Sequence, residues 1–262
     1  MKMLVALRTR LRLLWVLAAA IFIVLRGYLT MRLVFPFCGL AAKQALTQRW
    51  ARALLRLFGV EVAISGTAPQ TGPVLLAANH ISWLDILVLL AAAPVQFVAR
   101  IENKHWPILG WMTQQAGAVF VERQSARDMA RAIDKVSASL SDEAAIIAFF
   151  PEGQTSSGAG VGTFHGNLLQ AAISAGSPVQ AVALDYRLAS DGSRSSAVTY
   201  ANPLSLLQSL LNTLGSGPYT AQVGFAEAMS STSQQRKVLA AHLRQQVIAL
   251  REAPSNADNL KQ

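Results

Sequence analysis

The chain has 262 residues, of which 52% are hydrophobic and only 14% are charged, and its formal net charge is +9. Because soluble domains carry roughly 25% charged residues, part of this surface is expected to face something other than water. The length suits one large α/β domain with an appendage, and the single cysteine, Cys38, excludes a fold held by internal disulfides.

The positive charge is concentrated in the first 60 residues, which hold ten basic side chains and no acidic one. These side chains surround an apolar run at 13–25, a feature that nucleic-acid-binding arms do not need, so we predict no nucleic acid partner. A bilayer crossing takes about 20 apolar residues, so the run favours a helix lying in the membrane interface. The alternative is a true span, extended by snorkelling of Arg26 and Arg32.

Residues 44–58 place Leu46, Trp50, Leu54 and Phe58 at helical spacing with arginines between them. This pattern predicts a basic amphipathic helix that packs on the body of the protein or on lipid.

From residue 60 the pattern changes to alternating strands and helices. The first half is predicted to hold strands at 60–65 and 73–79, a helix at 83–92, strands at 95–100 and 118–123, a helix beginning at Ser125, and a buried strand at 144–150. The second half is predicted to hold a helix at 167–175, strands at 178–187 and near 196–200, a helix near 203–213, a strand near 219–225 and a helix at 233–251. This alternation predicts an α/β fold with a mixed, largely parallel central sheet flanked by helices, preceded by an N-terminal membrane-associated helical module.

Two polar residues, Asn79 and His80, interrupt the apolar stretch 75–90, and Asp85 follows the histidine by five positions. In a regular helix, positions five apart point about 140° away from each other. His80 and Asp85 can therefore meet only if the histidine lies in a bend before the helix, with Ser82 as the N-cap. The motif alone supports equally well an Asp85 that merely caps the helix beside a structural histidine.

If the two side chains pair, Asp85 would fix the tautomer of the His80 imidazole and make it a general base. The helix start would also offer free backbone N–H groups to a developing oxyanion. No serine lies in a nucleophile elbow and Cys38 lies in the apolar anchor, so we expect direct attack by a substrate hydroxyl. The four histidines show no zinc-ligand spacing, so we expect no metal.

Four blocks occur in order along the chain: Asn79-His80-x4-Asp85, GAVFVER at 117–123, FPEGQTS at 150–156 and SPVQAVAL at 177–184. Over roughly residues 60–225 they resemble the glycerolipid acyltransferase family of PlsC type, which includes the 1-acylglycerol-3-phosphate (lysophosphatidic acid) acyltransferases. The resemblance implies that His80 and Asp85 are catalytic: His80 deprotonates the acceptor hydroxyl, and Asp85 orients the imidazole.

The same resemblance implies which residues would bind the acceptor head group: Asn79, Arg123, Glu152, Gly153, Gln154 and Thr155. A guanidinium at a strand end suits a phosphate oxygen, although Arg123 taken alone is equally a solvated charge. The acyl donor would be acyl-CoA or an acyl carrier protein thioester, and no cofactor is implied.

The resemblance also suggests the organisation of the chain and its location. We predict membrane-anchoring helices at 1–58, an acyltransferase domain at 59–252 and a polar tail at 253–262. The expected location is the cytoplasmic face of the bacterial inner membrane, with membrane lipids and a lysophospholipid as partners.

The third block departs from the family's usual Phe-Pro-Glu-Gly-Thr-Arg-Ser, because Gln154 and Thr155 stand in place of Thr-Arg and remove a cation. The predicted function is acyl transfer to a lysophospholipid, first of all 1-acylglycerol-3-phosphate, to give phosphatidic acid. A lyso-ornithine lipid or another lysolipid is the alternative acceptor. A lipid-binding membrane protein without turnover and a lipid hydrolase that uses His80 to activate water are the rival functions.

Overall fold

The computed structural model describes residues 2–122, 124–201 and 204–253, with side chains described from residue 11 onward. The helices are α1 (Lys2–Leu33), α2 (Leu40–Leu57), α3 (Leu84–Ala92), α4 (Leu109–Gln115), α5 (Ala126–Leu140), α6 (Leu169–Ala175), α7 (Leu206–Ser216) and α8 (Arg236–Glu252). The strands are β1 (Val60–Ser65), β2 (Val74–Ala78), β3 (Gln96–Arg100), β4 (Val119–Val121), β5 (Ile146–Phe149), β6 (Val179–Leu188) and β7 (Tyr219–Phe225). Arg123 and the part of the predicted polar tail after residue 253 lie outside the described residues.

The strands form one sheet in the order β1-β7-β6-β2-β5-β3-β4. The strands from β6 to β4 in that order are parallel, β7 runs antiparallel to β6, and β1 is parallel to β7. Every residue of β2 and β5 is buried, because both faces of these central strands are covered and continuous apolar runs satisfy both. The predicted α/β fold with a mixed, largely parallel sheet is confirmed.

Each face of the sheet carries its own hydrophobic core. Helices α2 and α3 pack with one face, and α5, α6 and α8 pack with the other. Side chains alternate between the two cores along a strand, so in β6 Val182, Leu184 and Tyr186 face α3 while Ala181 and Ala183 face the opposite side. This alternation determines which β6 side chains can reach the start of α3.

Helix α1 is one continuous helix of 32 residues, and its segment Leu11–Leu33, with a mean hydropathy of 2.0, has the length and apolar composition to cross a membrane. The short apolar run at 13–25 is therefore part of a longer helix, so helix length no longer favours an interfacial helix over a span. The Trp50 indole on α2 donates a hydrogen bond to the Ile23 carbonyl at 3.1 Å, which fixes α1 against α2.

Helix α2 shares its core with the rest of the chain, because Leu54 and Leu55 belong to the same cluster as Val88 on α3. The division of the chain at residue 58 stays a prediction.

The predicted strand near 196–200 is wrong. The Thr199 amide and hydroxyl both donate to the Ser196 carbonyl, and the Tyr200 amide donates to the Ile81 carbonyl at 3.0 Å, so these residues form a turn beside the segment that follows β2. Helix α4 was not predicted. Its short sequence has little periodicity, and it is held by tertiary packing of Met112 against Met31 and Phe35.

Candidate active site

The candidate site lies where β2 and β5 end. These strands are parallel neighbours, and their carboxyl ends lead into the segments 79–83 and 150–164. Helix α3, which follows β2, packs on one face of the sheet, and α6, which follows β5, packs on the other. A crevice between strands whose helices leave on opposite faces is the usual ligand position in α/β sheets.

His80 and Asp85 are in direct contact. The imidazole Nδ1 lies 2.8 Å from Asp85 Oδ2, and the histidine precedes α3 in the bend that the spacing requires. The carboxylate is fully buried, whereas the imidazole is 17% exposed. A carboxylate only accepts hydrogen bonds, so the neutral ring carries its proton on Nδ1 and leaves Nε2 as an acceptor. Within the described residues, Nε2 has no hydrogen-bond partner.

The start of α3 differs from the predicted cap. The N-cap is Trp83, and the Ser82 hydroxyl accepts from the Leu84 amide at 3.3 Å. The amides of Ile81 and Ser82 donate to Asp85 Oδ2 at 2.6 and 2.9 Å. The expectation of amides that are free for an oxyanion is therefore wrong for residues 81, 82 and 84, because those of 81 and 82 stabilise the buried carboxylate and that of Leu84 binds the serine hydroxyl.

Asp85 has a further donor that the sequence analysis did not identify. The Tyr186 hydroxyl donates to Asp85 Oδ1 at 2.6 Å. Burial, together with the neighbouring carboxylate, raises the pKa of Tyr186 well above its usual range, so the phenol remains a donor. The available signal was a tyrosine in an otherwise apolar buried strand, because a buried hydroxyl needs a partner.

Residues of the third block contact both the ring and the backbone of His80. The His80 ring stacks on Phe150 with 3.8 Å between centroids and 10° between planes. The His80 carbonyl accepts from the amide and the hydroxyl of Ser156 at 2.8 and 3.0 Å. Both the ring and the backbone of His80 are thus held by residues that follow β5.

Glu152 links the same two segments. Its Oε1 accepts from the His80 amide at 2.8 Å and its Oε2 accepts from the Gly162 amide at 3.0 Å. The side chain is buried, and this burial raises the pKa of Glu152 against the opposing effect of the two amides. Both oxygens are engaged by backbone, so the described contacts make Glu152 a brace, and its predicted contact with the acceptor head group stays a prediction.

The other predicted binding residues differ in what they expose. Asn79 is buried, and its amide pairs with the backbone of Leu184, accepting at 2.7 Å and donating at 3.0 Å. The Thr155 hydroxyl donates to the Tyr200 carbonyl. Gly153, at a φ of +75° that suits glycine, and Gln154 are exposed at the tip of the block. These two residues are therefore free to meet a ligand, and their role as ligands stays a prediction.

Two arginines of α8 hold the loop that follows the third block. Arg244 donates to the carbonyls of 161–162, both at 2.7 Å. Arg251 donates to the Gly158 carbonyl at 2.6 Å and to Asp185 Oδ1 at 3.1 Å. Neither arginine was predicted from the sequence, because neither lies in a motif and their partners are about 70 to 90 positions away.

A separate groove of about 210 Å³ is lined by Leu40, Lys43, Leu90 and Gln96, among others. Gln96 begins β3, so the groove lies at the amino ends of the parallel strands, at the edge opposite His80. It is not part of the candidate site. In the described part of the chain, no group of three histidine, cysteine or acidic side chains could hold a metal.

The comparisons with known proteins agree with this architecture. A family model described as Acyltransferase matches residues 59–185. A lyso-ornithine lipid O-acyltransferase of Brucella abortus is 30% identical over 221 residues, which cover 79% of this chain and 82% of that protein. A 1-acyl-sn-glycerol-3-phosphate acyltransferase of Neisseria meningitidis serogroup B is 41% identical over 152 residues, which cover 58% of this chain and only 59% of that protein.

The fold is also that of a solved structure, the 1-acyl-sn-glycerophosphate (LPA) acyltransferase PlsC from Thermotoga maritima. It superposes with a TM-score of 0.65 and 20% identity, and the match covers 97% of this chain and 100% of that one.

Proposed function

The chain belongs to the Acyltransferase family, and we propose that it is an O-acyltransferase that moves a fatty acyl chain from a thioester to the free hydroxyl of a lysolipid. The observation that carries this proposal is the His80–Asp85 pair, in which a fully buried carboxylate holds Nδ1 at 2.8 Å. The pair stands at the carboxyl end of β2, in the crevice where an α/β sheet binds ligands.

The pair suffices for the chemistry of acyl transfer. Nε2 of His80 removes the proton from the acceptor hydroxyl as its oxygen attacks the thioester carbonyl carbon, and Asp85 stabilises the imidazolium that forms. The tetrahedral intermediate then expels the thiolate, which takes the proton back from the imidazolium. Because a thioester is already activated, positioning and one base supply the needed acceleration. The Ser156 hydroxyl donates to the His80 carbonyl, so it is held as a support and not as a nucleophile.

We propose 1-acylglycerol-3-phosphate as the first acceptor, giving phosphatidic acid, with acyl-CoA or an acyl carrier protein thioester as donor. Lyso-ornithine lipid is the second candidate, and three observations favour it. Gln154 and Thr155 supply no cation for a phosphate, and the Thr155 hydroxyl is occupied by the Tyr200 carbonyl. The relative matched over 82% of its length is named for a lyso-ornithine lipid.

The apolar helix α1 and the lipid acyltransferases among the bacterial relatives indicate that the protein associates with a membrane. We propose the cytoplasmic face of the inner membrane as its location, because both candidate donors are water-soluble thioesters of the cytoplasm.

The experiment is a transfer assay with membranes that contain the full chain, labelled acyl-CoA or acyl carrier protein thioester, and each lysolipid in turn. The proposal expects diacyl product that is lost in His80→Ala and retained in His242→Ala, a matched change of an exposed histidine on α8. The acceptor that gives the higher kcat/KM identifies the substrate. Release of free fatty acid without any acceptor would instead indicate a hydrolase, and lysolipid binding without product would indicate a binding protein.

A further inference from the structure

Tyr186 is the one phenol that the fold directs at Asp85 within the described residues. It lies on β6 with Val182 and Leu184 on the face toward α3, and it is only 2% exposed. A phenol in such an apolar layer costs free energy unless its hydroxyl is bonded. The hydroxyl meets that need at Asp85 Oδ1, 2.6 Å away, so packing of β6 on α3 brings the two groups together.

The two oxygens of Asp85 have different partners. Oδ2 accepts from His80 Nδ1 and from the amides of Ile81 and Ser82. Oδ1 accepts from Tyr186. The tyrosine therefore fixes the side of the carboxylate that the histidine and the helix start do not reach, and it sets the rotation of the group about its Cβ–Cγ bond.

From this geometry we propose that Tyr186 is a positioning residue for catalysis. It holds the Asp85 carboxylate in the orientation that accepts a hydrogen bond from Nδ1 of the His80 imidazole. The inference deepens the proposed acyl transfer and rests on it. Without the phenol, Oδ1 is a buried acceptor lacking a partner, which is costly. The carboxylate then turns to recover a donor, and its hydrogen bond to Nδ1 lengthens.

The chain offers a matched control in Tyr219. It is also fully buried, and its hydroxyl donates to the Thr213 carbonyl at 2.9 Å, on β7 and away from Asp85. Tyr186→Phe and Tyr219→Phe each remove one buried hydroxyl and keep the ring. A purely structural loss would be shared by both variants, whereas loss of positioning belongs to Tyr186→Phe alone.

The experiment combines kinetics with NMR on the full chain in detergent micelles. Ring-labelled histidine gives four imidazole signals to assign, and the signal that is lost in His80→Gln is that of His80. We expect Tyr186→Phe to move the Nδ1–H resonance of His80 upfield and to speed its exchange with water. We also expect kcat to fall roughly tenfold, a typical effect of weakening a general base, with an unchanged KM for the lysolipid. Tyr219→Phe should match the wild type in all three measurements.

An unchanged His80 signal, with a kcat equal to that of Tyr219→Phe, would overturn the inference. A downfield shift of the His80 Nδ1–H resonance with a normal kcat would also overturn it. In that case the Tyr186 hydroxyl would only withdraw charge from the Asp85 carboxylate and would not position it. A wild-type protein that forms no diacyl product, yet shows the upfield shift in Tyr186→Phe, would refute acyl transfer and leave the positioning intact.

A second measurement covers the case in which Tyr186→Phe does not fold. Fluorotyrosine labelling gives four signals, one for each tyrosine, and Phe variants of the other three assign the Tyr186 signal by elimination. That signal should move in both Asp85→Asn and His80→Gln. A signal that moves in neither variant would overturn the inference.

Discussion

The carboxylate of Glu152 accepts a hydrogen bond from the backbone amide of His80 at 2.8 Å, across 72 positions of sequence. The catalytic histidine of the proposed reaction is therefore placed by two segments at once, the bend after β2 and the loop after β5. Mutations in the second segment should therefore disturb the first.

Glu152→Gln should remove the pH dependence that Glu152 contributes to the free energy of unfolding. The pKa of Glu152 is raised by burial, so the folded state binds its proton more tightly than the unfolded state does. The wild type should therefore lose stability as pH rises from the unfolded value through the raised folded value, with a slope of at most about 1.4 kcal/mol per pH unit for one proton. Denaturant unfolding between pH 4 and 8 measures this slope.

The side-chain nitrogen that Glu152→Gln introduces faces a backbone N–H where the wild type offers an oxygen, so activity should also fall. Glu143→Gln, an exposed acid, is the control and should keep the wild-type slope. If the free energy of unfolding had the same slope against pH in Glu152→Gln and in the wild type, burial would not raise the pKa of Glu152.

Gly162→Ala should displace Glu152. A Cβ at Gly162 would lie 2.5 Å from Glu152 Oε2, whereas a Cβ at Gly160 in the same loop meets nothing within 4 Å. We expect the first variant to lower kcat by roughly tenfold to a hundredfold, as small misplacements of catalytic groups do, and Gly160→Ala to stay within about twofold. Equal activities in the two alanine variants would show that activity does not need the hydrogen bonds by which Glu152 links His80 and Gly162.

Arg251→Met should destabilise the fold. Its guanidinium is buried and bridges Asp185 and the Gly158 carbonyl. Asp185 keeps Arg194 at 2.9 Å, so we expect a loss of about 2 kcal/mol, the cost of leaving buried hydrogen-bond acceptors without their donor. Arg131→Met removes an exposed partner of Asp128, which is worth less than about 1 kcal/mol. Chemical denaturation of both variants compares their free energies of unfolding. Similar losses in the two variants would show that Arg251 of α8 does not stabilise the loop after the third block.

The exposed face of α1 should carry membrane binding. Trp15 and Phe22 are 65% and 66% exposed, and a glutamate at either position should weaken partitioning into vesicles by roughly two orders of magnitude, the effect of a charge in an apolar membrane segment. Val238→Glu on α8 starts from a similarly exposed apolar residue and should bind like the wild type. Flotation of the full chain with anionic vesicles measures the partitioning, and equal binding by all three variants would exclude α1 as the anchor.

The sequence predicted most of the sheet because its central strands are continuous apolar runs, as in β2 and β5. It also predicted the His80–Asp85 contact as one of two alternatives, since the five-residue spacing requires a bend. It did not predict the partners of these residues. Tyr186 is 101 positions from Asp85, and only the strand order reveals that β6 lies beside β2.

The errors have a common physical cause, because local patterns do not report tertiary contacts. The residues at 196–200 have strand-like composition, but Tyr200 bonds to the Ile81 carbonyl and not to a neighbouring strand. For the same reason the third block did not reveal that the oxygens of Glu152 accept from the amides of His80 and Gly162, and the contact of Glu152 with the acceptor stays a prediction.

The central claim is that Nε2 of His80 takes the proton of a lysolipid hydroxyl. A single-turnover assay of thiol release from acyl-CoA or the acyl carrier protein thioester, with and without lysolipid, tests it most directly. We predict release that requires the lysolipid, yields one diacyl product per thiol, and falls at least a hundredfold in His80→Gln. Thiol release by His80→Gln at the wild-type rate, or release that does not depend on the lysolipid, would contradict the account.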